Sequence, residues 1–273
     1  MPEYIDRRRT RDEAAALLRD AQVNPRALVA LYLGLVAMLS LLYSVVSMLT
    51  ESSSAQTVLG SPAATFIYIL ISLMTLILQI GFYLYCMGIR RGERMEFLTL
   101  FDGFSFAGRL IALAVIQDLF IFLWSMLFVV PGVIAVYRYR FAYLDLCENP
   151  SLGPLEALNM SKRQTEGYKA QIFLLDLSFL GWMILGSLPS VLVYLAPIQA
   201  AGISLGLPYL DFLNAAPAPL VTLVCGAWSL LVGIWYLARY QVCEISYFET
   251  AKRTSGVGAG MLPPDGGPDG SAF

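Results

Sequence analysis

The sequence predicts an all-α protein, a polytopic bundle of six transmembrane helices with both termini in the cytoplasm. Of its 273 residues 58% are hydrophobic and only 14% are charged, whereas a soluble domain carries about 25% charged residues. Several apolar runs exceed the roughly 18 residues that a membrane helix needs. Nearly all basic residues lie in alternate loops, and this pattern sets the predicted orientation of the spans.

The first element is a cytoplasmic N-terminal tail, residues 1–26. Thr10 and Glu13 have the spacing of a capping box, which predicts a short amphipathic helix over residues 10–23. Asn24 and Pro25 would end it. The tail is rich in charge and no cleavage site follows it, so the first span is expected to remain as a membrane anchor.

A membrane domain follows over residues 27–250, and its apolar runs predict six spans. Their bounds are residues 27–49, 64–89, 106–130, 132–147, 168–196 and 220–248. The fourth span is the shortest and carries two arginines. Pro131 and Gly132 would form the turn before it. Amphipathic segments are predicted at residues 95–101 and 155–166, and residues 251–273 form a tail whose glycine and proline content predicts disorder.

The loops assign each end of these spans to a side of the membrane. Residues 52–63 and 200–219 contain no Lys or Arg, whereas residues 7–26, 90–94, 162–169 and 252–253 hold nearly all the basic residues. Placing every basic loop in the cytoplasm requires an even number of spans with both termini inside. Six spans satisfy this rule.

The composition argues against most enzyme classes. The chain has no histidine, the commonest general base and metal ligand. Its four cysteines show no CxxC spacing, so neither a disulfide framework nor a zinc site is predicted. There is no P-loop, GxSxG or HExxH motif, and the scattered bases form no patch for nucleic acid. No catalytic residue, cofactor or metal site is therefore predicted.

Charged residues within the predicted spans form a candidate intramembrane polar cluster. Because ionised groups in hydrocarbon cost at least ~2.5–3.5 kcal/mol each, they are rarely accidental. One interpretation is that acids and bases pair and fix the helix register. The other is a polar cavity that binds an ion, a proton or an anionic lipid head. The members are Asp118, Arg138, Arg140, Asp145, Asp176, Arg239 and Glu244.

Two more specific hypotheses concern this cluster. Asp118 and Arg140 hold opposed positions on the hairpin of the third and fourth spans, so they are expected to pair. Asp145 and Asp176 lie on neighbouring spans, as in an intramembrane aspartyl protease, but the glycine-flanked signature of those enzymes is missing. A carrier would instead expose broken helices near midplane, for which Gly81, Gly181, Gly186 and Pro189 are the candidates.

One stretch of the chain, residues 131–182, carries a family resemblance. It holds a Pro-Gly turn, a tyrosine-rich segment ending in Asp145, then Asn149–Pro150, Glu156–Leu158, Ser161, Gly167–Lys169 and the LDLSFLGW string of residues 175–182. In this order it resembles the bacterial membrane family called domain of unknown function 975. It is more weakly similar to the membrane domain of glycerophosphodiester phosphodiesterases, whose catalytic domain is missing here. The resemblance implies a multi-pass protein of the bacterial cytoplasmic membrane and no particular reaction.

The resulting expectation is a non-enzymatic integral membrane protein that acts as a scaffold, or as an accessory to another membrane or envelope protein. The alternative is a carrier of a small solute, an ion or a lipid that uses the polar cluster. The expected partners are the lipid bilayer and a membrane or envelope protein, with no nucleic acid and no particular oligomeric state.

Overall fold

The computed structural model describes residues 3–21, 23–51, 62–200 and 217–258. These residues are helical and contain no strand, which confirms the all-α class. A 3₁₀ helix, Phe97–Phe106, lies between the third and fourth α-helices. The α-helices are α1 (Arg7–Asp20), α2 (Pro25–Glu51), α3 (Pro62–Arg90), α4 (Ala107–Leu127), α5 (Val129–Arg138), α6 (Ala142–Glu148), α7 (Pro154–Gln164), α8 (Lys169–Ala200) and α9 (Ala218–Ser255).

Several helix boundaries follow from local chemistry. The Asn24 carboxamide oxygen accepts a hydrogen bond from the Arg26 amide at 3.0 Å, so it satisfies a donor at the start of α2. Pro154 stands in the first turn of α7, where its missing N–H costs nothing. The chain leaves α3 through Gly92, whose φ of 72° is a left-handed conformation that favours glycine.

Five helical stretches are long and apolar enough to cross a membrane, so the chain is a multi-pass membrane protein. Their bounds are Pro25–Leu49, Thr65–Arg90, Phe97–Leu127, Lys169–Val191 and Leu220–Ser255. They overlap the first, second, third, fifth and sixth predicted spans. The helices α1 and α7 overlap the predicted amphipathic segments at residues 10–23 and 155–166.

The fourth predicted span, residues 132–147, is not one helix, and a count of six is not confirmed. The chain forms α5, leaves helical geometry at residues 139–141 and resumes as α6. With 10 and 7 residues, both helices are far shorter than the ~20 residues of a span. The break lies beside the two arginines of this segment, Arg138 and Arg140, which were interpreted as charges within one continuous span.

The helix breaks that the sequence suggested are also absent. The helix α3 runs through Gly81 without interruption, and α8 runs through Gly181, Gly186 and Pro189. Among the residues that the structure describes, apolar segments are interrupted instead at Phe128, between α4 and α5, and at residues 139–141, between α5 and α6. Pro131 and Gly132, the predicted turn, lie inside α5.

Two compact units can be described separately. The first holds residues 3–12, 104–175 and 243–258, and the second holds residues 13–103 and 176–242. In the first unit α5 folds back along α4. Gly132 lies against Ser125, and the Tyr139 ring stacks on Phe120 with centroids 6.1 Å apart. The order of these contacts makes the two helices an antiparallel hairpin.

The second unit contains α2, α3 and most of α8 and α9. The rings of Tyr32 and Phe82 stack with centroids 5.2 Å apart. The indole N–H of Trp228 donates a 2.8 Å hydrogen bond to the Leu185 carbonyl. Of the predicted C-terminal tail, residues 251–258 are described, and they include the end of α9 at Ser255. The rest of that tail, residues 259–273, lies outside the described residues.

Candidate functional site

The first unit contains a buried network of polar and charged side chains that joins α6, α7 and α9. The Lys252 ammonium forms an ion pair with the Glu148 carboxylate, and the two side chains are 0% and 2% exposed. The Lys252 nitrogen also lies 5.6 Å from the centroid of the Phe248 ring. Removing one partner of such a buried pair leaves an uncompensated charge, which costs about 3–5 kcal/mol.

A second buried contact of this network holds Asp145 on α6 and Gln164 on α7. The Gln164 side-chain amide donates to Asp145 Oδ1 at 2.8 Å and also lies 3.4 Å from the Val257 carbonyl. Gln164 therefore connects α6 to the segment that follows α9. Asp145 Oδ2 and Gln164 Oε1 are buried, and neither has a hydrogen-bond partner among the residues that the structure describes.

Burial governs the charge of Asp145. It raises the pKa of this carboxyl from its ordinary 3.8 to about 7, because a low-dielectric site disfavours the ionised form. The hydrogen bond from Gln164 lowers the pKa, the Glu148 charge raises it, and the Lys252 charge lowers it. The net effect is a buried acid that gains or loses its proton near neutral pH.

Two hydroxyl groups, that of Ser161 on α7 and that of Thr165 at its C-terminal cap, bond the backbone at the break between α5 and α6. The Ser161 hydroxyl donates to the Arg138 carbonyl at 3.1 Å and accepts from the Phe141 amide at 3.0 Å. The Thr165 hydroxyl lies 3.2 Å from the same carbonyl. Phe141 is fully buried and packs edge-on against Phe248, with centroids 5.4 Å apart. The backbone groups freed by the break are thus bonded within the protein.

Another ion pair joins the break to α9. The Arg140 guanidinium contacts the Glu244 carboxylate, whose side chain is 4% exposed, while that of Arg140 is 25% exposed. Both residues belong to the polar cluster that the sequence predicted. The expected partner of Arg140 was Asp118, and the structure corrects this. Asp118 is exposed and forms no ion pair with any described residue; its charge acts on Tyr143.

The other predicted members of the cluster lie in different surroundings. The Arg138 side chain is half-buried, and Asp176 accepts a 2.7 Å hydrogen bond from the Tyr240 hydroxyl. Arg239 is exposed on α9. Asp176 and Arg239 fall in the second unit, whereas Asp118, Arg138, Arg140, Asp145 and Glu244 fall in the first. Among the members in the first unit, Arg140 contacts Glu244, and Asp145 is bound by Gln164.

Both ends of the described chain meet at Tyr168 in the first unit. Its hydroxyl accepts a 2.8 Å hydrogen bond from the Glu3 amide and lies 2.8 Å from the Thr254 hydroxyl. Gln171 reinforces this contact, accepting a hydrogen bond from the Ile5 amide and donating one to the Glu3 carbonyl. The N-terminal segment and the end of α9 are therefore adjacent in the first unit.

Sequence reasoning missed Glu148, Gln164 and Lys252, which form the most deeply buried part of the network. Lys252 was grouped with the basic residues that set the orientation. Ser161 lies in the stretch of residues 131–182 that carries the resemblance, which implied no role for it. In the structure its hydroxyl bonds the backbone at the break between α5 and α6. The excessive length of the last apolar helix was the available signal, since a 38-residue helix is about 57 Å long and must extend beyond the membrane.

Comparison with known proteins agrees with the sequence resemblance. The profile of the family described as "Protein of unknown function (DUF975)" matches residues 126–215. The stretch of residues 131–182 that suggested this family lies wholly inside the match, so the chain is similar to this family over that region. The weaker similarity to glycerophosphodiester phosphodiesterases is not shown. Neither curated proteins nor solved structures gave a match.

Proposed function

We propose that the chain is a non-enzymatic scaffold or accessory protein of the bacterial cytoplasmic membrane, and that the first unit is its platform on the cytoplasmic face. The closed break between α5 and α6 carries this proposal. A carrier exposes half-helix ends to its substrate. Here Ser161 on α7 holds the freed carbonyl of Arg138 and the freed amide of Phe141. The backbone groups that would bind a substrate are already bonded.

The ion pairs support the same conclusion. The pair Arg140–Glu244 and the pair Glu148–Lys252 each join α9 to the segment around the break. Alternating access requires one group of helices to move against another. Movement of α9 away from α6 would separate a buried pair, which is costly. A fixed network of this kind suits a platform better than a moving gate.

The topology that we propose starts from the meeting of both chain ends at Tyr168, which requires an even number of crossings. Five long helices were found, so either the broken segment supplies a sixth crossing, or the α4–α5 hairpin enters the membrane and returns. We infer the second topology: four crossings, by α2, α3, α8 and α9, with a hairpin inserted from the cytoplasmic face. The six-span prediction remains its alternative.

The dimensions of the hairpin support this choice. Exposed apolar side chains occupy Leu119–Leu127 on one arm and Val129–Val136 on the other, and each arm is about 10–12 Å long. The hydrocarbon core is ~30 Å thick, so these arms reach less than halfway. Asp118 is exposed just before the first arm. A hairpin leaves this carboxylate at the membrane surface, whereas a full crossing places it in lipid at a cost of at least ~2.5 kcal/mol.

The alternative function is a carrier, and Asp145 is the observation in its favour. Its pKa of about 7 would let it exchange a proton under physiological conditions, as the carboxylates of proton-coupled carriers do. The side chain is 1% exposed among the described residues, which does not favour contact with a solute in this conformation.

An experiment on membranes and proteoliposomes separates the two functions. The double variant Arg140→Gln/Glu244→Gln removes one base and one acid from the network. The control is the double variant Glu156→Gln/Lys162→Gln, which removes one acid and one base from the exposed face of α7. Proximity biotinylation from a C-terminal fusion reports the neighbours in native membranes. Currents on solid-supported membranes report transport driven by H⁺, Na⁺ or K⁺ gradients.

For a scaffold, wild type gives no gradient-driven current above empty liposomes, and all folded variants label the same neighbours. A wild-type current that disappears in the Arg140/Glu244 variant and persists in the α7 variant would establish the carrier. The scaffold function would also be contradicted if the fusion labelled the same neighbouring proteins as a fusion to an unrelated membrane protein.

A further inference from the structure

The second unit contains a basic pocket that the proposed function does not use. The cavity has a volume of about 530 Å³ and lies between the end of α1, the start of α2 and a stretch of α9. Arg19, Arg26 and Arg239 line it together with the Trp235 indole. The backbone explains this convergence, because Trp235 and Arg239 are one turn apart on α9 and α2 begins at Pro25 beside them.

None of the three arginines in this basic pocket has an acidic partner in the part of the chain that the structure describes. Across the described residues, Arg19, Arg26 and Arg239 form no ion pair, in contrast to Arg140 and Lys252. The one aromatic contact is that of Arg26, whose guanidinium carbon lies 4.9 Å from the centroid of the Trp235 ring. Three converging positive charges without a counter-ion create a positive potential that attracts an anion, and arginine matches phosphate geometry.

The location of the basic pocket indicates an anion attached to a lipid. The helix α2 enters its apolar span at Pro25, so the pocket lies where the span begins. Tryptophan and arginine at such a boundary meet the headgroup layer. The orientation that the basic loops predict makes this the cytoplasmic boundary, where anionic lipids attract juxtamembrane arginines.

A second cavity in the same unit gives an acyl chain somewhere to lie. It has a volume of about 390 Å³ and is lined by α2, α8 and α9, including Leu33, Ala37 and Leu230. On α2 the positions Arg26, Leu33, Ala37 and Ser40 follow helical spacing on one face, so both cavities open along that face. Arg239 and Cys225 are about 21 Å apart along α9, more than half the ~30 Å hydrocarbon core.

We propose that the basic pocket of Arg19, Arg26, Arg239 and Trp235 binds the phosphate of an anionic membrane lipid, with an acyl chain in the adjoining cavity. This site goes beyond the scaffold function and uses none of the residues of the buried network. The scaffold proposal can therefore fail while the lipid site holds, and the reverse is equally possible.

The test compares lipids by the unfolding temperature of purified protein in a neutral detergent. Phosphatidylglycerol should raise this temperature, whereas phosphatidylcholine and inorganic phosphate should not. Removing an arginine near a charged surface weakens binding by roughly fivefold, so Arg19→Gln, Arg26→Gln and Arg239→Gln together should weaken phosphatidylglycerol binding about 100-fold. Native mass spectrometry of the retained lipid gives the affinity directly.

The matched control replaces three exposed bases of the first unit, Lys162→Gln, Arg163→Gln and Arg253→Gln. It removes the same charge and should bind as wild type. A second readout follows Trp235 in a variant whose other tryptophans are phenylalanine, because a bromine-bearing lipid in the pocket would quench its fluorescence.

Equal losses of phosphatidylglycerol binding in both triple variants would show a non-specific charge effect. Stabilisation by inorganic phosphate alone would show an anion site that is not a lipid site, and either result overturns the proposal.

Discussion

At the scale of single residues, the closure of the helix break depends on hydroxyl groups. Ser161 and Thr165 bond the Arg138 carbonyl and the Phe141 amide, groups that would otherwise be buried without partners, at a cost of ~1–3 kcal/mol each. Sequence reasoning included Arg140 and Glu244 in its cluster but could not pair them. Pairing requires knowing which helix faces meet, and hydropathy alone does not carry that information.

The prediction at this scale concerns Asp145 and pH. Its folded pKa of about 7 exceeds the ordinary 3.8, so the folded state binds the proton more tightly. Stability from this group is present at low pH and is lost as the pH rises through 7. Between pH 5.5 and 8 the wild type should lose about 2 kcal/mol relative to Asp145→Asn, measured by thermal unfolding in detergent.

The absence of histidine makes this measurement clear, because few other side chains titrate in that window. The variant Glu156→Gln, which removes an exposed carboxylate of α7, should keep the wild-type pH dependence. If wild type and Asp145→Asn show parallel pH profiles, the carboxyl is not a buried acid of raised pKa.

At the scale of helices, the hydropathy pattern predicted the continuous elements well and the interruptions poorly. The amphipathic segments at residues 10–23 and 155–166 overlap α1 and α7, because helical periodicity is a local signal. The predicted cap was wrong, since α1 begins at Arg7 and Thr10 lies inside it. The break between α5 and α6 is stabilised by Ser161 and Thr165, which lie 20 to 27 residues further along the chain than the groups they bond. A contact of that range leaves no trace in local composition, so the segment was predicted as a span.

The second prediction tests how closely two elements pack. In the second unit Gly81 of α3 lies against the backbone of Leu100 in the 3₁₀ helix, and a Cβ on Gly81 would overlap that carbonyl. Backbone cannot move aside as a flexible side chain does. We expect Gly81→Ala to destabilise by about 1–3 kcal/mol and to lower the unfolding temperature in detergent.

Gly181→Ala in α8 provides the matched control, because a Cβ there has no neighbour within 4 Å in the described structure. It should leave the unfolding temperature unchanged or raise it slightly, since alanine favours helix over glycine. A neutral Gly81→Ala would mean that the 3₁₀ helix does not rest on α3 as described.

At the scale of the whole molecule, the topology that we propose, with an even number of crossings, relates the charged residues to the membrane. The N-terminal segment and the end of α9 meet at Tyr168, and α9 is too long to lie within a bilayer. The sequence placed Asp118, Arg140, Asp145 and Glu244 inside spans, because apolar runs were assumed to cross completely. A hairpin that enters partway removes the energetic conflict, since these charges then lie at or outside the membrane surface.

The last prediction decides between this hairpin and a sixth crossing. Val130, exposed at the tip of the hairpin, would lie in hydrocarbon if the hairpin enters from the cytoplasmic face. With six complete crossings it would lie at the outer turn.

If the hairpin enters from the cytoplasmic face, Val130→Cys should resist a membrane-impermeant maleimide in intact cells, and also after permeabilisation. Ser54→Cys, in the predicted outer loop, should react in intact cells, and Ser151→Cys only after permeabilisation. Labelling of the wild-type protein, which has four cysteines of its own, is measured as the background for each variant. Labelling of Val130→Cys in intact cells to the level of Ser54→Cys would show that the segment crosses completely, because only a tip that has reached the outer aqueous phase can meet the reagent.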